Sequence, residues 1–301
     1  MNRTLTRNFA AIAACLALCM ILAACSADLS LPEASRASGP LTFGPEQRLG
    51  DNEKNPSTPF LRYSPAGRLF AIWTEDHDTP WPQGAQSPTH QHRSGDMMAA
   101  SPMRNAMLAW SADGGKTWSP PVRVNSNTEA VQGEEPGPKV AFSTDKRTYV
   151  VWSIPGEKGD KTRANIRFAM DDGKGSFTAA RTLNEVKDTA RFPIIETAPD
   201  GNLLVAWIDR RIDNPKPRQL YLMRLSPDGK ALTKNYQVGE GLCECCKLGV
   251  AFADGGKTVY MVDREVDGDK IRNHVLRKST DGAQSFGAPV EIYNDGWQVP
   301  S

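Results

Sequence analysis

Short apolar runs alternate with turn-forming residues along most of the chain. Four of these runs are rich in β-branched and aromatic residues, which is typical of buried strands. Each run follows a turn signal, and the four segments read SPAGRLFAIWTE, STDKRTYVVWSI, APDGNLLVAWID and FADGGKTVYMVD. The pattern therefore predicts a β protein in which one buried strand recurs four times.

A second type of segment follows each run and predicts a β-hairpin. The four copies read NAMLAWSADGGKTWSPPVRV, NIRFAMDDGKGSFTAARTL, LYLMRLSPDGKALTKNYQV and HVLRKSTDGAQSFGAPVEI. Each has an Asp-Gly turn signal near its centre. The turn aspartates are expected at Asp113, Asp171, Asp228 and Asp281, at spacings of 58, 57 and 53 residues. A period of about 55 residues with four strands per period indicates a β-propeller.

Two of the hairpin turns carry the same eight-residue motif. SADGGKTW at 111–118 fits Ser-x-Asp-x-Gly-x-Thr-Trp, and STDGAQSF at 279–286 fits it with two conservative departures. The aspartate is expected to accept hydrogen bonds from backbone N–H groups of its own turn, and the aromatic residue to pack between sheets. The residues with this structural role are Ser111, Asp113, Gly115, Thr117, Trp118, Ser279, Asp281 and Phe286.

This motif resembles the Asp-box of the sialidase (neuraminidase) superfamily, and the resemblance covers roughly residues 42–297. It implies an all-β fold, a β-propeller of the six-bladed sialidase type. Six periods need about 330 residues, but only about 260 follow Pro40. We therefore expect an incomplete, C-terminally truncated ring of about four full blades. Residues 42–49, TFGPEQRL, are similar to the outer strand SFGAPVEI and predict an N-terminal closing strand.

The strand order of a propeller assigns the two faces of the molecule. The Asp-box turns are expected on the bottom face. The loops between the second and third strands of each blade are expected on the top face, where ligands bind. These loops run over 75–105, 153–164, 209–219 and 264–273.

The sialidase resemblance implies three arginines that grip a carboxylate, an Arg-Ile-Pro segment in the first blade, an Asp acid/base and a late Tyr activated by Glu. In the first blade the segment reads Ser57-Thr58-Pro59, which puts Ser57 at the arginine position. The third blade reads Arg191-Phe192-Pro193. Because guanidinium groups bind carboxylates in a bidentate fork, the candidate catalytic and anion-binding residues are Arg191, Arg210 and Asp213. The alternative is that these arginines pair with carboxylates such as Glu134.

The blade that carries the family's nucleophilic Tyr is not expected in this chain. Together with Ser57 at the arginine position, this speaks against catalysis by the 301-residue chain.

Soft metal ligands form a second candidate site. The long loop after Glu75 contains His90, His92, Met97 and Met98, and the run GLCECCKLG contains Cys243, Cys245 and Cys246. Thiolate, thioether and imidazole donors suit copper. Cys243 and Cys245 are expected to point the same way on an extended segment. The alternatives are a polar insertion for the loop, and a disulfide with one spare thiol for the cysteines.

Near the N-terminus, an apolar stretch without charges runs over residues 9–24. It is shorter than the roughly 20 residues that span a bilayer as a helix, so it predicts a secretory signal. It ends in Leu22-Ala23-Ala24-Cys25, which resembles the lipobox of bacterial lipoproteins. The resemblance implies a signal peptide at 1–24, lipidation of Cys25 and, because Ser26 follows, sorting to the outer membrane. Residues 25–41 predict a flexible tether. The propeller is then expected over 42–301.

Charge narrows the choice of partner. The chain has 36 Lys and Arg against 35 Asp and Glu, for a formal net charge of +1, which argues against nucleic acid. Three functions stay open for a lipid-anchored envelope propeller. It is a non-catalytic module that binds a glycan or protein on its top face, a metal-binding protein with copper as the candidate ion, or an exo-α-sialidase that releases terminal sialic acids.

Overall fold

A computed structural model describes residues 44–77, 103–126, 129–133, 137–156, 163–212, 218–268, 270–294 and 296–298. Within these ranges, 17 strands form four antiparallel sheets. Each sheet pairs its strands in chain order, as a propeller blade does. The predicted all-β propeller is therefore confirmed. No helix in these ranges has the length and apolar character needed to cross a membrane.

The blades have the following bounds. Blade 1 contains β1 (Ser57–Tyr63), β2 (Leu69–Asp76), β3 (Met103–Ser111) and β4 (Val122–Arg123), and β5 (Val131–Gln132) also pairs with β3. Blade 2 contains β6 (Lys139–Phe142), β7 (Thr148–Pro155), β8 (Ala164–Met170) and β9 (Arg181–Thr182). Blade 3 contains β10 (Ala190–Thr197), β11 (Leu203–Asp209), β12 (Gln219–Leu225) and β13 (Tyr236–Glu240). Blade 4 contains β14 (Gly249–Ala253), β15 (Thr258–Asp267), β16 (Ile271–Ser279) and β17 (Val290–Tyr293). Short 3-10 turns occur at Asn52–Lys54 and Asp254–Gly256.

The second strand of each blade is the run that the sequence predicts as buried. Every residue of β11 is buried, because one side of the strand faces blade 2 and the other faces blade 4. Trp207 packs with Tyr149 and Phe168 of blade 2, whereas Leu204 packs with Val259 of blade 4. Contact on both sides explains why β7 and β11 are continuously apolar rather than alternating. Burial of each large side chain contributes about 1.5–3 kcal/mol.

The fourth blade leaves apolar surface open. Val290, Ile292 and Tyr293 of its outer strand are 63%, 54% and 71% exposed. In the same sheet, Val262 pairs with Leu276, which in turn pairs with Val290, so the row continues across three strands. Blades 1 to 3 each pack one side against the next blade. The open row is therefore consistent with an incomplete ring.

The closing strand predicted over 42–49 is not formed by residues 44–49, where the structure has no strand. Each of the four sheets already has its own outer strand, so no sheet in the described ranges offers the place that a closing strand would fill. Leu49 packs instead against Ala71 and Trp73, on the side of blade 1 that faces away from blade 2. The compact unit that holds the blades runs from Arg48 to Ser301.

The two motif turns form the same hydrogen bonds. Asp113 Oδ1 accepts from the backbone N–H of Thr117 at 2.9 Å, and its Oδ2 accepts from the Thr117 hydroxyl at 2.7 Å. Asp281 accepts from the N–H and hydroxyl of Ser285 at 2.9 and 2.5 Å. Trp118 donates its indole N–H to the Gly115 carbonyl at 3.1 Å. Each aspartate thus closes its own turn.

The second copy uses a different residue from the one predicted. Asp172, rather than Asp171, accepts from the backbone N–H groups of Lys174 and Ser176, at 2.8 and 3.1 Å. Ser176 lies four residues after Asp172, as Thr117 does after Asp113. The turn requires an acceptor that reaches the N–H four residues later, and Asp171 is one residue too early.

Loss of the motif carboxylate should lower stability in a pH-dependent way. Hydrogen bonds from Thr117, first its hydroxyl and then its N–H, hold the pKa of Asp113 far below its usual range. Because the pKa of Asp113 is lower in the folded state than in the unfolded state, its ionised form stabilises the fold above the unfolded pKa of about 4. This stabilisation is lost as the pH falls toward the folded-state pKa. We expect Asp113→Ala to lower the Tm at pH 7 by about 2–4 °C, with a gap to wild type that narrows below pH 4.

Thermal melts at several pH values measure this effect. Glu53→Ala is the matched control, because the Glu53 side chain is exposed on a short 3-10 turn. An Asp113→Ala melt at pH 7 equal to that of wild type would contradict the stabilising role.

Candidate functional site

The strand register separates the two ends of each blade. In blade 1, Ser57 pairs with Thr74 at one end, and Leu69 pairs with both Tyr63 and Ser111 at the other. The motif turn that follows Ser111 therefore lies opposite the end at which β2 finishes. We call the end of each blade where β2, β7, β11 and β15 finish the upper end. The motif turns and the strand ends that bound the predicted site loops thus lie at opposite ends of the blades, as predicted.

The inner strands of blades 1 and 3 contain the same irregularity at the upper end. The pairing register shifts between residues 57 and 60 in β1 and between residues 191 and 194 in β10. The second residue of each bulge has a positive φ, 51° at Thr58 and 54° at Phe192. Ser57 is thus the structural equivalent of Arg191. The Ser57 hydroxyl lies 3.1 Å from the Thr74 hydroxyl, so this position carries a neutral group where the sialidase pattern has an arginine.

Arg191 and Arg210 both lie at the upper end of blade 3. Arg191 is half-buried, and its guanidinium carbon lies 4.9 Å from the centre of the Phe192 ring. The backbone N–H of Arg210 donates to the Thr189 carbonyl at 2.7 Å. Asp213 and Glu134 lie outside the described residues, so the proposed pairing of these arginines with either an anion or a carboxylate stays a prediction.

Asp209 is occupied by its neighbours. It is fully buried and accepts from the indole N–H of Trp207 at 2.9 Å. It also accepts from the backbone N–H of Arg211 at 2.8 Å. Two guanidinium nitrogens of Arg211 donate to it as well, Nε at 3.0 Å and Nη2 at 2.8 Å. The Arg211 guanidinium in turn lies 3.8 Å from the centre of the Tyr221 ring. Asp209 and Arg211 are therefore bonded to each other and fix residues 209–211 at the end of β11.

A sequence signal for this anchoring exists, although sequence reasoning missed it. In Trp207-Ile208-Asp209 the tryptophan donates to the acid two residues later. In Trp73-Thr74-Glu75 the indole N–H of Trp73 donates to Glu75 in the same way, at 2.8 Å. A Trp-x-acid ending on a buried strand thus marks a carboxylate that is already bonded.

The three cysteines lie together at the upper end of blade 4. Their Sγ atoms all lie within 4.8 Å of one another. Cys243 Sγ is 3.4 Å from Cys245 Sγ and 2.9 Å from Cys246 Sγ, and all three are free thiols. The backbone N–H of Cys243 donates to the Arg264 carbonyl of β15 at 2.7 Å, which ties the group to the blade. We call this group the thiol cluster.

The thiols differ in exposure, from buried Cys243 through intermediate Cys246 to exposed Cys245. The segment is a turn over residues 244–245, not the extended segment that was predicted. The N–H of Cys246 approaches the Cys243 carbonyl at 3.4 Å, which brings the first and last cysteines of a Cys-x-x-Cys spacing into contact. The Cys-x-x-Cys spacing was the sequence signal that could have identified Cys243 and Cys246 as the two sulfurs in closest contact.

Two arginines lie near the thiol cluster. The Arg264 guanidinium lies 3.8 Å from Cys246 Sγ, and its Nε donates to the Arg272 carbonyl at 2.8 Å. A hydrogen bond from the Cys246 S–H, followed by hydrogen bonds from Cys245 and the charge of Arg272, lowers the pKa of Cys243 to about 5. The same hydrogen bond and burial raise the pKa of Cys246. Within this pair, Cys243 therefore loses its proton more readily than Cys246 does.

The other predicted soft ligands lie outside the described residues. They are His90, His92, Met97 and Met98. The loop that contains them leaves β2 at Asp76 and returns to β3 at Met103, and both positions lie at the upper end of blade 1. A joint site with the thiol cluster stays a prediction. Within the described ranges, the thiol cluster is the group of three or more potential metal ligands that the geometry brings together.

Comparison with known proteins supports the fold. No protein-family model and no curated protein sequence matches the chain. An α-L-arabinofuranosidase of Fusarium graminearum matches with a TM-score of 0.52 at 16% identity, covering 80% of this chain and 67% of that one. The NanB sialidase of Streptococcus pneumoniae matches with a TM-score of 0.53 at 10% identity, covering 85% and 55%. A protein of unknown function from Dyadobacter fermentans matches with a TM-score of 0.54 at 15% identity, covering 79% and 64%.

These similarities place the chain among the β-propeller folds that include glycoside hydrolases. The chain spans from 55% to 67% of the length of the three structures. Identities of 10% to 16% show a shared fold and leave activity to be argued from the site.

Proposed function

We propose that this chain is a propeller protein that binds a soft metal ion, with Cu(I) preferred, through the thiolates of Cys243, Cys245 and Cys246. The single observation that supports the proposal is the mutual contact of three sulfur atoms within 4.8 Å at the upper end of blade 4. Thiolates are soft donors that select Cu(I) and other thiophilic ions over hard cations such as Mg²⁺.

The surrounding charges favour a metal–thiolate group. Three thiolates around a monovalent ion carry a net negative charge, which the nearby positive charges of Arg264 and Arg272 offset. Glu244, which stands between the cysteines in the sequence, forms an ion pair with Arg218. Its negative charge is therefore partly neutralised and adds little repulsion to the cluster. In this proposal His90, His92, Met97 and Met98 supply further soft ligands from the blade 1 loop.

Titration with Cu(I) tests the proposal. The reduced full chain, kept free of oxygen, is titrated with Cu(I) in the presence of a chromogenic Cu(I) chelator. We expect one Cu(I) ion per chain to be withdrawn from the chelator, with no competition from excess Mg²⁺. If the chelator keeps all of its Cu(I), the proposal is wrong.

Non-catalytic binding of a carbohydrate or protein ligand at the upper end is the second candidate function. It is favoured by the likeness to glycosidase propellers together with Arg191, which lies at the upper end of blade 3. Hydrolysis as an exo-α-sialidase is the enzymatic alternative. It is disfavoured because Ser57 occupies the blade 1 equivalent of Arg191, which removes one charge from a carboxylate grip.

We therefore expect no turnover of a fluorogenic sialoside or α-L-arabinofuranoside above the buffer blank. Initial rates are measured at high enzyme concentration for wild type and Arg191→Ala. Hydrolysis by wild type that disappears in Arg191→Ala would establish the enzymatic alternative.

We also propose that the protein is held in the bacterial envelope, at the outer membrane, by a lipid on Cys25. The support is the sequence Leu22-Ala23-Ala24-Cys25-Ser26, which resembles a lipobox. A thiol site in this oxidising compartment would face competition from disulfide formation.

A further inference from the structure

We infer that the thiol cluster also exchanges disulfides, with Cys245 receiving a disulfide from solution and the Cys243–Cys246 pair storing it. This activity uses the cysteines of the proposed metal site but does not rest on metal binding. The substrate class is a small-molecule disulfide such as oxidised glutathione.

The first support is the order of exposure. Cys245 is exposed and can meet a disulfide that approaches from solvent, whereas Cys243 is only 5% exposed. A buried thiol cannot reach an incoming disulfide unless the local structure opens. The exposed thiol is therefore the one placed to react first.

The second support is the order of contacts. Cys243 Sγ is in contact with both other sulfurs, 3.4 Å from Cys245 Sγ and 2.9 Å from Cys246 Sγ. A disulfide formed at Cys245 can therefore be passed inward in two short steps. Cys245 and Cys246 are adjacent in the chain, and a bond between adjacent cysteines is strained, so Cys243 is the required intermediate.

The exchange balances as follows. The Cys245 thiolate attacks one sulfur of R–S–S–R, forming Cys245–S–S–R and releasing R–S⁻. Cys243 then attacks Cys245 Sγ, which forms a Cys243–Cys245 bond and releases the second R–S⁻. Finally Cys246 attacks Cys243 Sγ and releases Cys245. In total, two protein thiols lose two electrons and two protons, and R–S–S–R becomes two R–SH.

The local turn favours the final pairing. The Cys-x-x-Cys segment is already folded back, with the Cys246 N–H 3.4 Å from the Cys243 carbonyl. A disulfide between these residues closes a larger and less strained ring than one between Cys243 and Cys245. Since this disulfide consumes two of the three thiolates, oxidation should also prevent metal binding.

The test uses the reduced full chain with oxidised glutathione and a metal chelator. Samples are alkylated at intervals, and peptide mapping distinguishes the cluster from Cys15, Cys19 and Cys25. We expect wild type to end with a Cys243–Cys246 disulfide and a free Cys245. Cys245→Ser should reach the same product about tenfold more slowly, because the exposed acceptor is missing. Cys243→Ser should stop with glutathione bound to Cys245.

Two results would overturn the inference. One is oxidation of Cys245→Ser as fast as that of wild type, and the other is a final wild-type disulfide that contains Cys245. Because Cys245 is exposed, its serine variant is expected to keep the wild-type Tm, which serves as the folding control. The chelator removes metal from every sample, so this outcome is independent of the Cu(I) titration.

Discussion

Replacing both Cys243 and Cys246 by serine should lower the Cu(I) affinity of the reduced chain by about 100-fold or more. The substitution removes two of three soft donors and leaves hydroxyl groups, which are neutral, hard ligands at neutral pH. These two residues are the less exposed members of the cluster, and their sulfurs are in closest contact. Competition with a chromogenic chelator under anaerobic conditions measures the change.

Single variants sharpen this prediction. Cys245→Ser leaves the Cys243–Cys246 pair intact, so we expect a smaller loss of about tenfold. Ser226→Ala is the matched control, because Ser226 lies in a turn at the opposite end of blade 3 from the upper end. Equal affinity in wild type and in the double variant would mean that the cysteines have only a structural role.

The Cu(I) affinity should also fall as pH decreases. Protons compete with the metal for the thiolates, and for the imidazoles of His90 and His92 in the proposed joint site. A Cu(I) affinity that stays constant between pH 8 and pH 5 would contradict thiolate ligation.

Replacing Trp207 by alanine should lower the free energy of unfolding by about 3–5 kcal/mol. Trp207 is fully buried and lies in the core between blades 2 and 3, so its removal leaves a large cavity there. The substitution also removes the indole N–H that donates to Asp209 at 2.9 Å. Loss of a hydrogen-bond donor to a buried carboxylate lowers the free energy of unfolding further. Urea denaturation followed by circular dichroism measures the change.

Trp110→Ala is the matched control for Trp207→Ala. Trp110 is 37% exposed and lies over the Arg68 guanidinium at 4.4 Å, so its removal creates no closed cavity. We expect a loss below about 1 kcal/mol for this variant. Equal losses in the two variants would contradict the assignment of the main core to the contacts between blades.

Local pattern was enough to predict much of the propeller. The second strands β2, β7, β11 and β15 stand where the apolar runs predict them. In β7 and β11 the run is continuous because a strand packed on both sides requires apolar residues at consecutive positions. The equivalence of Ser57 and Arg191 was also predictable by counting back from the turns, and the shared bulge agrees with it. The role of Asp172 was missed because two adjacent aspartates precede the glycine in that copy.

The sequence by itself thus determined the class of fold, the repeat and the end of each blade at which the candidate residues lie, since these depend on short-range periodicity and strand direction. Only the tertiary structure decided which candidates touch. It showed that residues 44–49 form no closing strand, because each sheet has its own outer strand. It showed that Asp209 is bonded to Trp207 and Arg211. It also placed Cys246 against Cys243, because a turn at 244–245 folds the chain back. This turn depends on a tertiary contact, the hydrogen bond from the Cys243 N–H to the Arg264 carbonyl of β15.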